Sequence, residues 1–305
     1  MEIIKDIYNC TKSACAATIG SFDGVHLGHR SMIDELHREA LRRGLPLAVV
    51  TFMRHPRLLF DGECEPFLLT STDEKLALLE ELGVERLFLL DFDTCMASMC
   101  AERFMHEVLA GKIGVKLLGV GYDHHFGKPC DGDCFERYTE YGRSAGIEVV
   151  RLSQYTHDGG KVSSTQVRHA VSAGDMQRAS ALMGHRYKIT GTVVRGAGIG
   201  RGLGFPTANV LPADNMKLLP PDGVYEVEAE CAGVRCKGVM NIGFKPTVSD
   251  ASLRTVEVHL LGFAGDIYGS SIVVEPLRRI RGEMNFGDVD ALKKQIMADI
   301  ASVEQ

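Results

Sequence analysis

The chain has 305 residues, of which 45% are hydrophobic and 24% are charged, and this length and composition predict two globular domains rather than a disordered, collagenous or coiled-coil chain. Its 34 basic residues stand against 40 acidic ones without a run of like charge, which argues against a nucleic-acid partner. The nine cysteines are odd in number and form no CxxC motif. With an acidic N-terminal segment and no apolar run near about 18 residues, we expect a cytoplasmic protein without a membrane span.

The first half of the chain alternates short apolar runs with helical patterns. The runs are apolar on both faces and too short for helices, as buried parallel strands are; they lie at 16–19, 47–51, 86–90, 115–120 and 147–151. One helix is predicted over 29–43 and ends at Gly44. A second begins with the capping box at 71–74 and runs to about 82, and a third is preceded by Ser98 and ends at Gly111. This alternation predicts an α/β domain with a doubly wound parallel sheet, which binds ligands at the carboxyl ends of its strands.

The pattern changes after residue 163. Two short helical patterns, over 165–173 and 175–183, lead to segments in which polar and apolar residues alternate, as in half-exposed antiparallel strands. We expect a small barrel from 187 to about 280 and a final helix over 288–300. The predicted domains are therefore 1–184 and 185–305.

The clearest local signal lies between the first strand and the first helix, where a doubly wound sheet binds phosphate. Residues 20–29 read GSFDGVHLGH, and the glycines let the backbone approach a ligand. His26 and His29 stand at the helix start, where imidazoles can hydrogen-bond a polyphosphate and stabilise charge that develops on it. Two such histidines alone would more often be turn and cap residues, and a zinc site is disfavoured because further ligands at a matching spacing are lacking.

Three later segments occur in order with this one: TFMRHP at 51–56, GYDHHFG at 121–127 and SSTQVR at 163–168. Together the four segments resemble the nucleotidyltransferase superfamily, in the form found in bacterial FAD synthetases. The resemblance implies transfer of AMP from ATP to FMN with release of pyrophosphate, and catalytic roles for His26 and His29. It also implies binding residues for the ATP phosphates, namely Gly20, Phe22, Asp23, Gly28, Ser163, Ser164, Thr165 and Arg168, and for the flavin, namely His55, Asp123 and Phe126.

A second glycine-rich segment, 191–204, is followed by FPTAN at 205–209 and by strand patterns, so it is neither a Rossmann fingerprint nor a P-loop. In an extended PTAN segment Thr207 and Asn209 point to the same side, where a hydroxyl and an amide oxygen can hold Mg²⁺ with ATP phosphates. Glu257 lies on the polar face of a predicted strand and is a candidate base for phosphoryl transfer from ATP to a primary hydroxyl. Without the nearby Thr207 and Asn209, the simpler interpretation would hold. Glu257 would then be an exposed strand residue, and the glycine-rich segment would be a flexible turn.

Five segments of the second half, among them GRGLGFPTAN at 200–209 and VEVH at 256–259, follow the order of riboflavin kinase motifs and resemble that family. The resemblance implies a six-stranded barrel, with Thr207 and Asn209 at Mg-ATP and Glu257 at the ribityl 5′-hydroxyl. It implies ATP binding by the glycine-rich loop, through Gly198, Gly200, Arg201 and Gly204. The sequence departs from the two families at Arg54, His124, Gly262 and Gly282.

The two resemblances together imply an enzyme that phosphorylates riboflavin to FMN and adenylylates FMN to FAD, with ATP as co-substrate, Mg²⁺ as cofactor and no obligate protein partner. One alternative is a riboflavin kinase with a degenerate, inactive nucleotidyltransferase domain, which only Arg54 and His124 favour. The other is a non-enzymatic flavin or nucleotide sensor. A sensor could lose its reacting groups, so the presence of the following residues argues against it: His26, His29, Thr207, Asn209 and Glu257.

Overall fold

The computed structural model describes residues 1–60, 65–122, 126–127, 134–157, 159–196, 198–244 and 254–304. The chain divides into two compact units, Met1–Glu65 with Lys75–Ser163, and Pro66–Glu74 with Ser164–Gln305. Over the described ranges, no helix has both the length and the apolar character that a membrane span requires.

The first unit is built on a six-stranded parallel sheet with the order β1-β4-β3-β2-β5-β6. Its strands are β1 Glu2–Ile4, β2 Cys15–Ile19, β3 Leu47–Phe52, β4 Arg86–Leu90, β5 Val115–Val120 and β6 Glu148–Arg151. The five strands predicted from the apolar runs are confirmed. β1 was not predicted, because a three-residue edge strand with two exposed residues has no readable period. Since β3 and β5 flank β2, the strand order reverses beside β2, and ligands of doubly wound sheets bind at that point.

Two hydrophobic clusters cover the two faces of this sheet, which is why its strands are apolar on both sides. Alternate residues of β2 divide between them, with Ala16 in one cluster and Ala17 and Ile19 in the other. The helices of this part of the chain are α1 Leu27–Arg42, α2 Arg57–Phe60, α3 Thr72–Glu81, α4 Thr94–Ser98, α5 Ala101–Arg103, a π-helix Phe104–Ile113 and α6 Cys134–Ala145. A two-stranded antiparallel pair follows, β7 Thr156–His157 and β8 Gly160–Lys161.

The predicted helix from Ser98 to Gly111 is wrong in both its start and its end. Met99 and Cys100 have extended backbone conformations, with ψ of 135° and 158°, and separate α4 from α5. The π-helix continues through Gly111 to Ile113 and ends at Gly114, whose φ of +94° favours glycine. A Cβ at Gly114 would also lie 2.6 Å from the Ser13 carbonyl oxygen. A glycine inside the helix was therefore mistaken for the glycine that ends it.

The second unit contains a closed antiparallel barrel with the strand order β10-β13-β12-β11-β14-β9. The strands are β9 Ile189–Val194, β10 Ala208–Pro212, β11 Gly223–Cys231, β12 Val234–Phe244, β13 Arg254–Leu260 and β14 Ser271–Arg281. Its helices are α7 Ser164–Ser172, α8 Met176–Met183, α9 Ile199–Gly202 and α10 Val289–Glu304. The predicted six-stranded barrel and C-terminal helix are confirmed, and α10 runs to Glu304 rather than to residue 300.

A short segment from the first half of the sequence, 66–74, belongs to this second unit. Its Leu68 receives a backbone hydrogen bond from Leu218 and donates one to Met216. At its end the Glu74 carboxylate lies 2.6 Å from the Lys217 ammonium, and the two side chains are 4% and 2% exposed. Burial raises the pKa of Glu74, but the Lys217 charge and hydrogen bonds more than offset this, so the pKa lies below its usual value.

Replacing Glu74 with glutamine is expected to destabilise the second unit by about 3–5 kcal/mol, because the Lys217 ammonium would stay buried without its anion. Urea unfolding of the full-length chain measures the loss. The double variant Glu74→Gln with Lys217→Met is the matched control and should recover most of the stability, since it removes both charges. Equal stability of the single variant and the unmodified chain would contradict a buried ion pair.

Candidate active sites

The loop between β2 and α1 lies at the carboxyl end of β2, where the strand order reverses. Phe22 and Val25 have φ of +49° and +37° there, a left-handed conformation that is unfavourable for bulky residues. Both side chains are buried, at 1% and 0% exposure, so packing holds the strained turn in place. Strain of this kind is typical of ligand-binding loops.

His26 and His29 lie against each other at the start of α1. Their rings stack with centroids 3.7 Å apart, and the His26 Nδ1 accepts a hydrogen bond of 3.3 Å from the His29 backbone nitrogen. His26 is therefore the N-cap of α1, as the simpler interpretation of the motif required. Because Nδ1 accepts, the ring proton of His26 lies on Nε2, and that edge can donate to an anion. Gly28 permits the stack, since a Cβ there would lie 3.1 Å from the His26 ring.

Lys75, on the first turn of α3, is a buried cation that the sequence analysis missed. It is 8% exposed, and its ammonium donates to Ser21 O, Phe52 O and the Thr51 hydroxyl at 3.3, 3.0 and 3.3 Å. Burial lowers its pKa to about 8, against an opposing effect of the Asp23 carboxylate. Its position four residues before the buried Leu79 was the signal for a lysine on the core-facing side of a helix.

An apolar cavity of about 880 Å³ opens beside this loop. Its lining comes from β2, β3, the π-helix and the segments that follow β2, β3, β4 and β5. Five phenylalanines of its wall form an aromatic surface. The ring centroids of Phe52 and Phe60 lie 5.0 and 6.1 Å from that of Phe92, and those of Phe104 and Phe126 lie 5.9 Å apart. Of the predicted flavin-binding residues, His55 and Phe126 line the cavity. Asp123 and the divergent His124 lie outside the described residues.

The predicted phosphate-binding segment 163–168 spans the division between the two units. Ser163 ends the first unit, while Ser164 begins α7 in the second, with Thr165 exposed on its first turn. The Arg168 Nε donates to Phe67 O at 2.9 Å, and its guanidinium lies 5.6 Å from the Phe67 ring centroid. Arg168 therefore holds the segment 66–74, a structural role that the motif did not reveal.

Glu257 lies in the middle of a polar row on the barrel. Its carboxylate accepts a hydrogen bond of 3.1 Å from the Thr207 hydroxyl. Asn209 on β10 and Asn241 on β12 are its direct cross-strand neighbours. The neighbouring Val256 and Val258 are buried, as the alternation of the sequence predicts. The structure thus brings Glu257, Thr207 and Asn209 together, and it adds Asn241.

The glycine-rich loop before β10 packs tightly on the side chains of that row. A Cβ at Gly196 would lie 2.2 Å from the Asn209 amide nitrogen, and one at Gly200 would lie 3.3 Å from the Thr207 hydroxyl oxygen. Gly198 and Gly204 have φ of +72° and +89°, a conformation that favours glycine. Because these loop positions are glycines, an open space remains beside the Thr207 hydroxyl and the Asn209 amide. Larger side chains in the loop would fill that space.

A second cavity of about 460 Å³ is lined by Thr207, Asn241 and Glu257 of this row and by Gly198 and Gly200, while Asn209 is not part of its lining. Residues of β14 and α10 form another part of its wall, including Arg281 and Asp299. The Arg281 Nη2 lies 2.8 Å from the buried Asp299 carboxylate, and Nε donates to the same group. Arg201, the remaining predicted ATP-binding residue, is exposed and donates to the Tyr268 hydroxyl at 3.4 Å.

Comparison with known proteins assigns a family to each half of the chain. Residues 9–166 match the family model for FAD synthetase, and residues 183–305 match the model for riboflavin kinase. A bifunctional riboflavin kinase/FMN adenylyltransferase of Escherichia coli strain K12 is 39% identical over 303 residues, covering 98% of this chain and 96% of the relative. The Bacillus subtilis strain 168 enzyme of that name is 37% identical over 284 residues, covering 92% of this chain and 89% of the relative.

A solved structure supports the same fold over the whole length. The crystal structure of a protein described as a macrolide-efflux protein from Streptococcus pneumoniae has a TM-score of 0.88 and 31% identity, covering 99% of this chain and 98% of the other. The chain therefore belongs to the bifunctional riboflavin kinase/FMN adenylyltransferase family, and it is an enzyme of flavin biosynthesis.

Proposed function

We propose that the two cavities are the two active sites, so that riboflavin is phosphorylated at the barrel and FMN is adenylylated at the parallel sheet. The observation that carries this assignment is the chemistry at each cavity. The first cavity lies beside the loop between β2 and α1, called here the phosphate-type loop, at whose end the imidazoles of His26 and His29 stack. The second cavity contains the Glu257 carboxylate, which is hydrogen-bonded to the Thr207 hydroxyl. We assign adenylyl transfer to domain 1–184 and phosphorylation of riboflavin to domain 185–305.

In the adenylyl transfer, a phosphate oxygen of FMN attacks the α-phosphorus of ATP, and the bond to the β-phosphate breaks with release of pyrophosphate. His26 and His29 donate hydrogen bonds to the oxygens on which negative charge develops. We assign the ATP phosphates to the residues that the motifs predict, namely Gly20, Phe22, Asp23, Gly28, Ser163, Ser164, Thr165 and Arg168. The isoalloxazine ring of FMN occupies the aromatic cavity, between His55 and Phe126, with Asp123 as a further flavin-binding residue.

Replacing Phe60 with alanine is expected to raise the KM for FMN about three- to tenfold, because an aromatic pair is worth about 0.5–1.5 kcal/mol beyond its burial. Phe60 is 68% exposed, so its loss should leave the fold intact. Steady-state FAD synthesis at varied FMN measures the effect. Tyr8→Ala, at an exposed aromatic residue outside the cavity, should leave the KM unchanged. An unchanged KM in Phe60→Ala would remove this wall from the flavin site.

In the kinase reaction, Glu257 accepts the proton of the ribityl 5′-hydroxyl as that oxygen attacks the γ-phosphorus of ATP and ADP departs. The Thr207 hydrogen bond orients the carboxylate. The glycine-rich loop, with Gly198, Gly200, Arg201 and Gly204, binds the phosphates. Thr207 and Asn209 present a hydroxyl and an amide oxygen, which are hard ligands of the kind that Mg²⁺ prefers. These two residues would hold the ion beside the glycine-rich loop. Bound Mg²⁺ would neutralise charge on the phosphates.

Incubating the chain with riboflavin, ATP and Mg²⁺, and separating the flavins by chromatography, tests both assignments. Formation of FMN and then FAD supports them. FMN alone would indicate an inactive nucleotidyltransferase domain, and neither product would indicate a flavin or nucleotide sensor. The exposed position of Arg54, one of the two departures that favour an inactive domain, gives that alternative little support.

We further propose a cytoplasmic location and no requirement for a nucleic-acid, membrane or protein partner. The proposal is supported by the mixed charge of the sequence and by six free thiols, those of Cys10, Cys15, Cys95, Cys100, Cys231 and Cys236. A reducing compartment favours free thiols.

A further inference from the structure

Lys75 connects two segments of the first unit that border the aromatic cavity, which is the proposed flavin site and is called the flavin cavity below. Ser21 O belongs to the loop after β2, and Phe52 O is at the end of β3. Both residues line the cavity. Thr51 joins the same network, because its hydroxyl donates to Ser21 O and accepts from the ammonium. One buried cation therefore connects the phosphate-type loop to the strand beside it.

The network uses the full donor capacity of an ammonium. Three N–H groups meet three acceptors, two backbone carbonyls and one hydroxyl. A neutral amine has only two N–H groups, so loss of the proton breaks one of these links. Among the described residues, the charged group that acts on this ammonium is Asp23, on the same loop and 3% exposed.

We propose that Lys75, in its protonated form, is a positioning residue for adenylyl transfer. It holds the loop that carries Asp23 and precedes His26 against the edge of the cavity, so that the FMN phosphate and the α-phosphate of ATP meet in reactive geometry. Its own side chain contacts backbone and Thr51 rather than substrate. The proposal rests on the assignment of adenylyl transfer to this unit, and it adds a pH dependence that the assignment alone does not contain.

The sign of that dependence follows from the proton count. Burial lowers the Lys75 pKa to about 8, so the ammonium loses its proton as the pH rises through this value. FAD formation should therefore fall above about pH 8 in the unmodified chain. An arginine at this position stays charged at every accessible pH, so Lys75→Arg should keep its activity further into the alkaline range.

The experiment measures kcat and KM for FAD formation from FMN between pH 6 and pH 10 in full-length chains. The activity of Lys75→Arg divided by that of the unmodified chain should rise as the pH passes about 8. Effects that are common to both chains, such as titration of ATP, cancel in this ratio. Lys75→Met should lower kcat about 10- to 100-fold, the cost of misplaced reactants. Lys116→Met, at an exposed lysine on β5 of the same unit, is the matched control and should follow the unmodified profile.

A flat ratio of Lys75→Arg to unmodified activity across this range would overturn the proposal, even if Lys75→Met failed to fold. A folded Lys75→Met chain with the same kcat as the unmodified chain would overturn the proposal as well. Absence of FAD formation in the unmodified chain would instead overturn the assignment of this unit, so the two failures are distinguishable. Phosphorylation of riboflavin by the same preparations should be unchanged, because the Glu257 site belongs to the other unit.

Discussion

Replacing His29 with alanine is expected to remove nearly all FAD formation from FMN while FMN formation from riboflavin continues. The imidazole stands at the N-terminus of α1, stacked on His26, where it can stabilise charge on the transferring phosphate. Loss of one such donor lowers kcat by about 10²- to 10³-fold. Chromatographic assay of both products in one preparation measures the two activities side by side.

Two further variants separate chemistry from folding at this site. His26→Asn keeps an oxygen that can cap α1 through the His29 backbone nitrogen, so the helix should stay intact while FAD formation is lost. His37→Ala changes a histidine further along the same helix and should leave both activities unchanged. Normal FAD synthesis by His29→Ala would remove this histidine from the mechanism.

Glu257→Gln is expected to lower phosphorylation of riboflavin by about 10²- to 10⁴-fold, the usual contribution of a general base. The amide keeps the size of the side chain and its place between Asn209 and Asn241, but it cannot accept the proton. The same variant supplied with FMN should form FAD at a near-normal rate. That result would separate loss of the base from loss of the fold.

Glu230→Gln is the matched control for this change. Glu230 is an exposed glutamate on β11 of the same barrel, outside the cavity that contains Glu257. Its substitution should leave the kinase rate unaltered. If phosphorylation of riboflavin survived in Glu257→Gln, Glu257 would be only a strand residue and another group would accept the proton.

Much of the candidate chemistry was readable from the sequence because it lies in short contiguous segments. His26 and His29 are three residues apart at a predicted helix start, and the structure stacks them there. Thr207 and Asn209 have the period of a strand, and the neighbouring Ala208 is buried, as that period requires. Local spacing was sufficient in these places because the backbone geometry alone puts the side chains on one face.

Groups that meet across strands were less accessible to sequence reasoning. Asn241 joins Glu257 only through the register of β12 and β13. Arg281 reaches Asp299 only because α10 packs on the barrel beside the cavity that contains Glu257. Such pairings depend on which strands become neighbours, and a single strand pattern does not contain that information.

The sequence by itself determined the parallel sheet, the barrel, the phosphate-type loop and the change of architecture after residue 163, because each depends on local period, capping and turn chemistry. Only the tertiary structure decided that Glu74 is buried with Lys217 in the second unit and that Lys75 is buried in the first. In the sequence, Glu74 is the last residue of a capping box and Lys75 follows it, so both look like solvated helix positions. Their burial depends on partners far along the chain, because a buried charge is tolerated only where distant groups satisfy it.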